Sequence, residues 1–165
     1  MGDEGRYSRH YSLPGVGESG QKKLAEASVL VIGAGGLGSP VLLYLAAAGV
    51  GRLGIIDDDE VALSNLQRQV LHSTETIGYK KVDSAQKRLN GLNDEVEIVT
   101  YDARFTPENA MGIFSDGWDV IVDGTDNIPT RYLVDDACFL SGIPWVYGTV
   151  LMRRLETPCK HPSIF

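Results

Sequence analysis

The segment 29–38 constrains this chain more than any other, because it joins an aliphatic run to regularly spaced glycines. Val, Leu, Val and Ile lead into Gly33, Gly35 and Gly38, which stand at the G-x-G-x-x-G spacing, and an apolar segment follows. This order is typical of a buried parallel strand that turns into a helix whose N-terminus faces a phosphate. In such a turn Gly33 allows the bend, Gly35 lets the backbone approach the phosphate, and Gly38 packs the helix against the strand.

An acidic residue follows the glycines at the distance that a nucleotide site requires. Asp57 ends the second aliphatic segment, residues 52–57, about 20 residues after the last glycine. Its carboxylate is predicted to accept hydrogen bonds from ribose hydroxyls, with a helix cap or a surface acid as the alternative. The glycine pattern alone is weak, but strand, glycines, helix and acid in this order predict a nucleotide site of unspecified kind.

Aliphatic segments alternate with helical patterns along the rest of the chain. The predicted strands are residues 29–32, 53–57, 96–99, 118–123 and 144–148, and the predicted helices are 18–27, 39–48, 80–92, 107–114 and 130–140. Such alternation predicts a Rossmann-like, doubly wound α/β fold with a mainly parallel sheet. We divide the chain into an N-terminal arm (1–20), expected to be extended or loop-like, one α/β domain (21–150) and a divergent tail (151–165).

Composition restricts the partners. A net charge of −7 argues against nucleic acid or an anionic membrane as the main partner, since both favour a basic surface. No apolar run reaches the ~18 residues that a membrane span needs, and the N-terminus lacks a signal pattern, so the cytoplasm is expected. Cys138 and Cys159 make no disulfide framework, and the three histidines have no metal-binding spacing.

Charged residues outside the glycine segment are candidates for handling phosphate. Asp123 ends the predicted fourth strand and Asp126 follows it, so both are expected to line one crevice with Asp57. Asp126 could hold Mg²⁺ beside phosphates, or belong to a helix cap. No lysine follows the glycines as in a Walker motif, so Arg68 and Lys81 are the candidate cations, with an exposed surface position as the alternative for each. Lys80 and Lys81 are adjacent, and only one of them is expected to face inward.

Six motifs in order resemble the ThiF/MoeB proteins, which are relatives of the ubiquitin-activating enzymes. They are residues 6–10, 33–38, 56–59, 64–69, 77–82 and 125–127. The resemblance extends from about Arg6 to about Val150. The segments Ser-Asn-Leu-Gln-Arg-Gln (64–69) and Thr-Asp-Asn (125–127) make it far more specific than the glycine pattern alone.

The resemblance implies adenylation of the C-terminal glycine of a ubiquitin-like sulfur-carrier protein with ATP and Mg²⁺, releasing pyrophosphate. Arg9 corresponds to an arm arginine that enters the active site of the other subunit of a homodimer. Asp126 is implied as the Mg²⁺ ligand and Asp57 as the ribose ligand. The remaining implied nucleotide-site residues are Gly33, Gly35, Gly36, Gly38, Ser64, Asn65, Arg68, Lys81 and Asn127.

The sequence after residue 151 departs from the family pattern. The family's last strands, its Cys-x-x-Cys zinc half-site and its sulfur-handling cysteine have no counterpart in residues 152–165, so zinc is not expected and the sheet is expected to lack those strands. This departure leaves one alternative open, a nucleotide-binding dimerisation module without full activity. The glycine pattern and Asp57 leave a second, an NAD-dependent oxidoreductase. The resemblance does not specify the carrier, so the thiamine, molybdopterin, cysteine and tRNA-thiolation pathways are all open.

Overall fold

The computed structural model describes residues 5–148, which form a doubly wound α/β fold. All five strands are parallel, in the order β3-β2-β1-β4-β5. The strands are β1 (Ser28–Ile32), β2 (Arg52–Ile56), β3 (Glu97–Tyr101), β4 (Val120–Asp123) and β5 (Trp145–Tyr147). The helices are α1 (Ser8–Tyr11), α2 (Gly17–Glu26), α3 (Gly38–Ala48), α4 (Lys81–Leu92), α5 (Pro107–Phe114) and α6 (Ile128–Ser141), with 3₁₀ turns at Leu63–Asn65 and Thr74–Thr76.

Helices cover both faces of the sheet, so each central strand is buried on both sides. In β1, Val29 and Val31 pack into the core under α3 and α4, whereas Leu30 and Ile32 pack into the core under α5 and α6. Two-sided burial accounts for the nearly continuous aliphatic run that the sequence shows. The predicted fold class and all five strands are confirmed, with boundaries shifted by one to two residues.

The order of the strands reverses between β1 and β4, and this is where doubly wound sheets bind ligands. The glycine loop, residues 33–38, follows β1, and the turn 124–127 follows β4. A β-carbon at Gly38 would overlap the carbonyl oxygen of Gly33, and Gly33 itself has a φ of +93° with the Gly124 oxygen 3.2 Å from its β-carbon position. Glycine is therefore required where these two segments meet.

The N-terminal arm differs from the extended or loop-like expectation. Its residues form α1 and the start of α2, and these two helices pack together. The Tyr7 hydroxyl accepts a hydrogen bond from Asn93 Nδ2 (2.7 Å), which holds the arm beside the amino end of β3. Tertiary contacts of this kind override the arm's weak local pattern. Within residues 5–148, none of the helices combines the length and the apolar character needed to cross a membrane.

Candidate functional site

The glycine loop presents the N-terminus of α3 to the carboxyl edge of the sheet. In α3, which has 11 residues, no side chain caps the first turn, and its N-cap position is Leu37. Uncapped N–H groups and the positive end of the helix dipole favour an anion at this position. The predicted turn from strand to helix is present, and its contact with a phosphate stays a prediction.

Gly35 has room in front of it that the protein does not fill tightly, whereas Gly36 lies closely against Arg68. A β-carbon at Gly35 would have Gln69 Nε2 as its nearest neighbour, at 3.7 Å, which is an ordinary van der Waals distance. A β-carbon at Gly36 would lie 3.3 Å from the Cγ and Cδ atoms of Arg68. Packing requires glycine at 38 but not at 35, so a ligand that approaches the backbone accounts better for Gly35.

Asp57 connects the end of β2 to the glycine loop. Its carboxylate accepts hydrogen bonds from the backbone N–H of Ala34 (2.8 Å) and of Asp59 (2.9 Å), and its side chain is 8% exposed. Each carboxylate oxygen has two lone pairs, so both can accept further hydrogen bonds. The structure thus gives Asp57 a loop-supporting role, and its contact with ribose stays a prediction.

Lys81 is a buried cation between two carboxylates. Its Nζ lies 2.6 Å from Asp59 Oδ2 and 3.6 Å from Asp57 Oδ1, and its side chain is 4% exposed. Lys81 faces inward and Lys80 is more exposed, as expected. Asp59 is exposed, and one of its carboxylate oxygens pairs with Lys81. The carboxylates of Asp57, Asp58 and Asp59 are close enough to hold a cation, and the Lys81 ammonium already neutralises two of them.

The segment 64–69 lies over the glycine loop and supplies its second cation. The Arg68 side chain reaches the Gly36 position, and its Nη2 donates a hydrogen bond to Asn65 Oδ1 (3.3 Å). Asn65 is half-buried, whereas Ser64 and Arg68 are exposed at this edge. Gln69 is buried, and among the described residues its Oε1 has no hydrogen-bond partner. Arg68 and Asn65 are therefore brought to the loop, as predicted.

The turn after β4 contributes one exposed and one buried carboxylate. Asp126 is exposed, but Asp123, expected to line the site, is buried and accepts hydrogen bonds from Thr125 N (2.9 Å) and Oγ1 (2.7 Å). Arg131 Nε lies 3.3 Å from Asp123 Oδ2 and neutralises it. Asn127 is the N-cap of α6, since its Oδ1 accepts a hydrogen bond from Thr130 N (2.8 Å). The nucleotide contacts of Asp126 and Asn127 stay predictions.

Arg9 is not near the glycine loop of its own chain. It is exposed on α1, where the neighbouring His10 Nδ1 pairs with Gln21 Oε1 (2.6 Å) and Gln21 Nε2 donates to the Ala48 carbonyl (2.9 Å). Ala48 is the last residue of α3, and the glycine loop lies at the start of this helix. About 16 Å of helix therefore separates the Gln21 contact from the glycine loop.

Sequence reasoning assigned no role to His72, which is buried beside the loop. Its Nε2 lies 3.0 Å from the Ala34 carbonyl oxygen and its Nδ1 2.9 Å from Ser84 Oγ. Burial lowers its pKa, and the nearby Lys81 charge lowers it further, against the raising effects of the Ala34 carbonyl and of Asp57. No local pattern identified His72, because its partner Ala34 is 38 positions away.

Of the two cysteines, Cys138 lies in the part of the chain that the structure describes and Cys159 lies outside it. Cys138 is buried in α6, and burial raises the pKa of its thiol to about 12, which makes it a small core residue rather than a nucleophile. Cys159 and the rest of the predicted tail lie outside the described residues. The expectation that zinc is not bound rested on that tail and stays a prediction.

Comparison with known proteins places this arrangement in a family. Over 146 residues the chain is 53% identical to the adenylyltransferase and sulfurtransferase MOCS3 of Anopheles gambiae, matching 88% of this chain and 33% of that protein. It is 54% identical over 145 residues to the sulfur carrier protein adenylyltransferase of Thermus thermophilus, matching 88% of this chain and 53% of that one. The chain thus spans about a third to a half of the length of these relatives.

A solved structure has the same fold. The E. coli tRNA N6-threonylcarbamoyladenosine dehydratase TcdA, in complex with ATP, superimposes with a TM-score of 0.77 at 29% identity, covering 80% of this chain and 54% of that one. Residues 7–157 match the ThiF family. Together with the glycine loop, Asp57 and the 64–69 segment, these matches mean that the chain belongs to the ThiF family.

Proposed function

We propose that this chain binds ATP at the glycine loop and adenylates the C-terminal glycine carboxylate of a ubiquitin-like sulfur-carrier protein. The observation that carries the proposal is the position of Arg68 against Gly36, over the uncapped N-terminus of α3. A cation and a helix N-terminus facing one small space suit a polyphosphate. The name of the Thermus relative, sulfur carrier protein adenylyltransferase, supports a sulfur carrier as the second substrate, and the MOCS3 name supports adenylyl transfer.

The nucleotide would lie along the carboxyl ends of β1, β2 and β4. Its phosphates would approach Gly35 and Gly36, and its ribose would meet the carboxylate of Asp57. The ATP complex of the TcdA structure supports this choice of nucleotide. Asn65 and Ser64 lie in the 3₁₀ turn beside Arg68 and would complete the phosphate contacts. Asn127, the cap of α6, would contribute from the facing turn.

The reaction needs charge compensation rather than a base. The carrier's terminal carboxylate is ionised at neutral pH, so one of its oxygens can attack the α-phosphorus of ATP directly. A new P–O bond forms, the bond from the α-phosphorus to the bridging oxygen breaks, and pyrophosphate leaves. Arg68 would oppose the repulsion between the two anions and stabilise the charge that develops on the leaving group. Lys81 Nζ has three N–H donors, and the one left over from its pairs with Asp57 and Asp59 would contact a phosphate.

Mg²⁺ fits the donor set at the turn after β4. Asp126 is an exposed carboxylate two residues after Gly124, whose backbone lies against Gly33 and Gly38. Mg²⁺ binds through one or two carboxylates together with phosphate oxygens. When bound, the ion would neutralise phosphate charge. The Asp57–Asp59 group fits less well, because the Lys81 ammonium occupies the position of the cation.

Arg9 would act in the other subunit of a homodimer. Its neighbour His10 is linked through Gln21 to the end of α3 that is opposite the glycine loop, and α3 is about 16 Å long, so Arg9 is proposed to act outside its own chain. A two-fold dimer would bring Arg9 of each subunit to the glycine loop of the other. This arrangement would account for the position of Arg9 on the side of the domain opposite its own glycine loop.

The test is to detect the carrier acyl-adenylate directly. The chain is incubated with ATP, Mg²⁺ and, one at a time, ubiquitin-like sulfur carriers that end in a free glycine, and the carriers are analysed by intact-mass spectrometry. We expect an AMP adduct on one carrier, and none on the same carrier without its last glycine. ATP binding without an adduct on any carrier would contradict adenylation.

A further inference from the structure

We propose that His72 is a positioning residue that orients the Gly35 N–H toward the nucleotide phosphates. The proposal rests on the proposed ATP site but adds a residue to it, in the core behind the glycine loop. The observation that carries it is the contact of His72 Nε2 with the Ala34 carbonyl oxygen, 3.0 Å. A carbonyl oxygen only accepts hydrogen bonds, so Nε2 must carry the proton.

The Ala34 carbonyl and the Gly35 N–H belong to the same peptide group. The peptide is trans and planar, so its C=O and N–H point in opposite directions. A side chain that holds the carbonyl from the core side therefore aims the N–H to the opposite side, away from the core. Hydrogen bonding to the carbonyl also polarises the peptide and strengthens its N–H as a donor.

The peptide group before Ala34 is held as well. The Ala34 N–H donates to Asp57 Oδ2 at 2.8 Å, so both backbone polar groups of this residue have side-chain partners. Ser39 Oγ also lies near the Ala34 carbonyl, but at 3.4 Å it makes the weaker contact. Of the two donors, His72 is the one that fixes the carbonyl direction.

His72 is itself held in place by polar contacts. Its Nδ1 lies 2.9 Å from Ser84 Oγ in α4, and Ser84 Oγ lies 2.9 Å from Thr76 Oγ1. All three side chains are buried, with exposures of 8% or less. The ring therefore has one orientation, and it connects the glycine loop to the first turns of α4.

Two amide substitutions separate positioning from packing. In His72→Gln the side-chain amide can place an N–H near the Nε2 position, whereas in His72→Asn the shorter side chain places it near Nδ1, out of reach of Ala34. We expect His72→Asn to raise the Kd for ATP about tenfold, the size of one lost hydrogen bond, and His72→Gln to recover most of this loss. ATP binding is measured on the full chain by calorimetry.

Leu89→Ala, which changes a buried α4 residue about one and a half turns beyond Ser84, controls for general destabilisation. We expect it to lower the melting temperature without changing the Kd for ATP. Equal affinity in His72→Asn and wild type would overturn the inference, as would equal weakening in Leu89→Ala or no recovery in His72→Gln. Failure of the wild-type chain to bind ATP would instead overturn the proposed function, and this inference with it.

Discussion

The carboxylate of Asp57 accepts a hydrogen bond from the backbone N–H of Ala34 (2.8 Å), which joins the end of β2 to the glycine loop after β1. The residue expected to bind ribose therefore also shapes the loop expected to bind phosphate. Lys81 lies 3.6 Å from the same carboxylate and balances its charge. Loop, acid and cation consequently form one unit, and a change to one of them is expected to alter the others.

The two glycines at 35 and 38 are expected to respond differently to alanine. Gly38→Ala should lower the free energy of unfolding by at least about 2 kcal/mol, because its β-carbon would overlap the Gly33 oxygen. Gly35→Ala should change stability by less than about 1 kcal/mol but weaken ATP binding, because its methyl group enters the phosphate space. Urea unfolding and calorimetry check both. Normal ATP binding by Gly35→Ala would contradict the proposed position of the phosphates.

Replacing Arg131 should destabilise the turn after β4. Arg131→Leu leaves the buried Asp123 carboxylate without its cation, which should cost about 3–5 kcal/mol. Adding Asp123→Asn should recover much of this loss, because the amide carries no charge and can still accept from Thr125. The control is Lys22→Leu, which removes an exposed ion pair with Glu26 and should cost no more than about 0.5 kcal/mol. Similar losses in Arg131→Leu and Lys22→Leu in urea unfolding would contradict this account.

Stability should depend on pH through His72. Burial lowers the pKa of His72 below its ordinary value of 6.5, although Asp57 opposes and Lys81 reinforces this shift. As pH falls below about 6.5 the unfolded chain therefore takes up a proton that the folded chain does not, so the free energy of unfolding falls. His72→Gln should flatten the curve between about pH 6.5 and 5. An unchanged slope in urea unfolding across this range would be the contrary result.

Mixing two inactive variants should restore activity if Arg9 acts across a dimer. Arg9→Ala and Arg68→Ala are each expected to lack adenylation. In a heterodimer one site has both wild-type arginines, so an equal mixture that exchanges subunits randomly should recover about a quarter of wild-type activity. Light scattering checks the dimer itself. A stable monomer at high concentration, or no recovery on mixing, would contradict the trans arrangement.

Much of the fold could be predicted from sequence because its signals are local. The aliphatic segments before Gly33 and Asp57 identify two central strands, since residues buried on both faces leave almost no polar positions. The arm was the exception. Its helices depend on contacts such as that of Tyr7 with Asn93, which joins residues 86 positions apart and leaves no periodic pattern.

The site could be predicted only where a residue type is tied to a motif. Arg68 and Lys81 carry such a signal: Arg68 lies against Gly36, and Lys81 is buried between Asp57 and Asp59, while their phosphate contacts stay predictions. Other residues of the site carry no such signal, because their roles depend on their partners. Asp59 pairs with Lys81, His72 with Ala34, and Arg131 with Asp123. Sequence alone does not distinguish a residue that contacts a ligand from one that supports the fold. Asp123 was expected to line the site, but it is buried.

Carrier-dependent exchange of labelled pyrophosphate into ATP tests the central claim most directly. The full chain is assayed with each sulfur carrier, beside Arg68→Ala and the remote surface variant Lys22→Ala, after circular dichroism and light scattering show that fold and assembly match wild type. The account predicts exchange in wild type and Lys22→Ala only when a cognate carrier is present, and none in Arg68→Ala. Exchange unchanged in Arg68→Ala, preferential binding of NAD(H), or ATP binding without exchange for any carrier would contradict it.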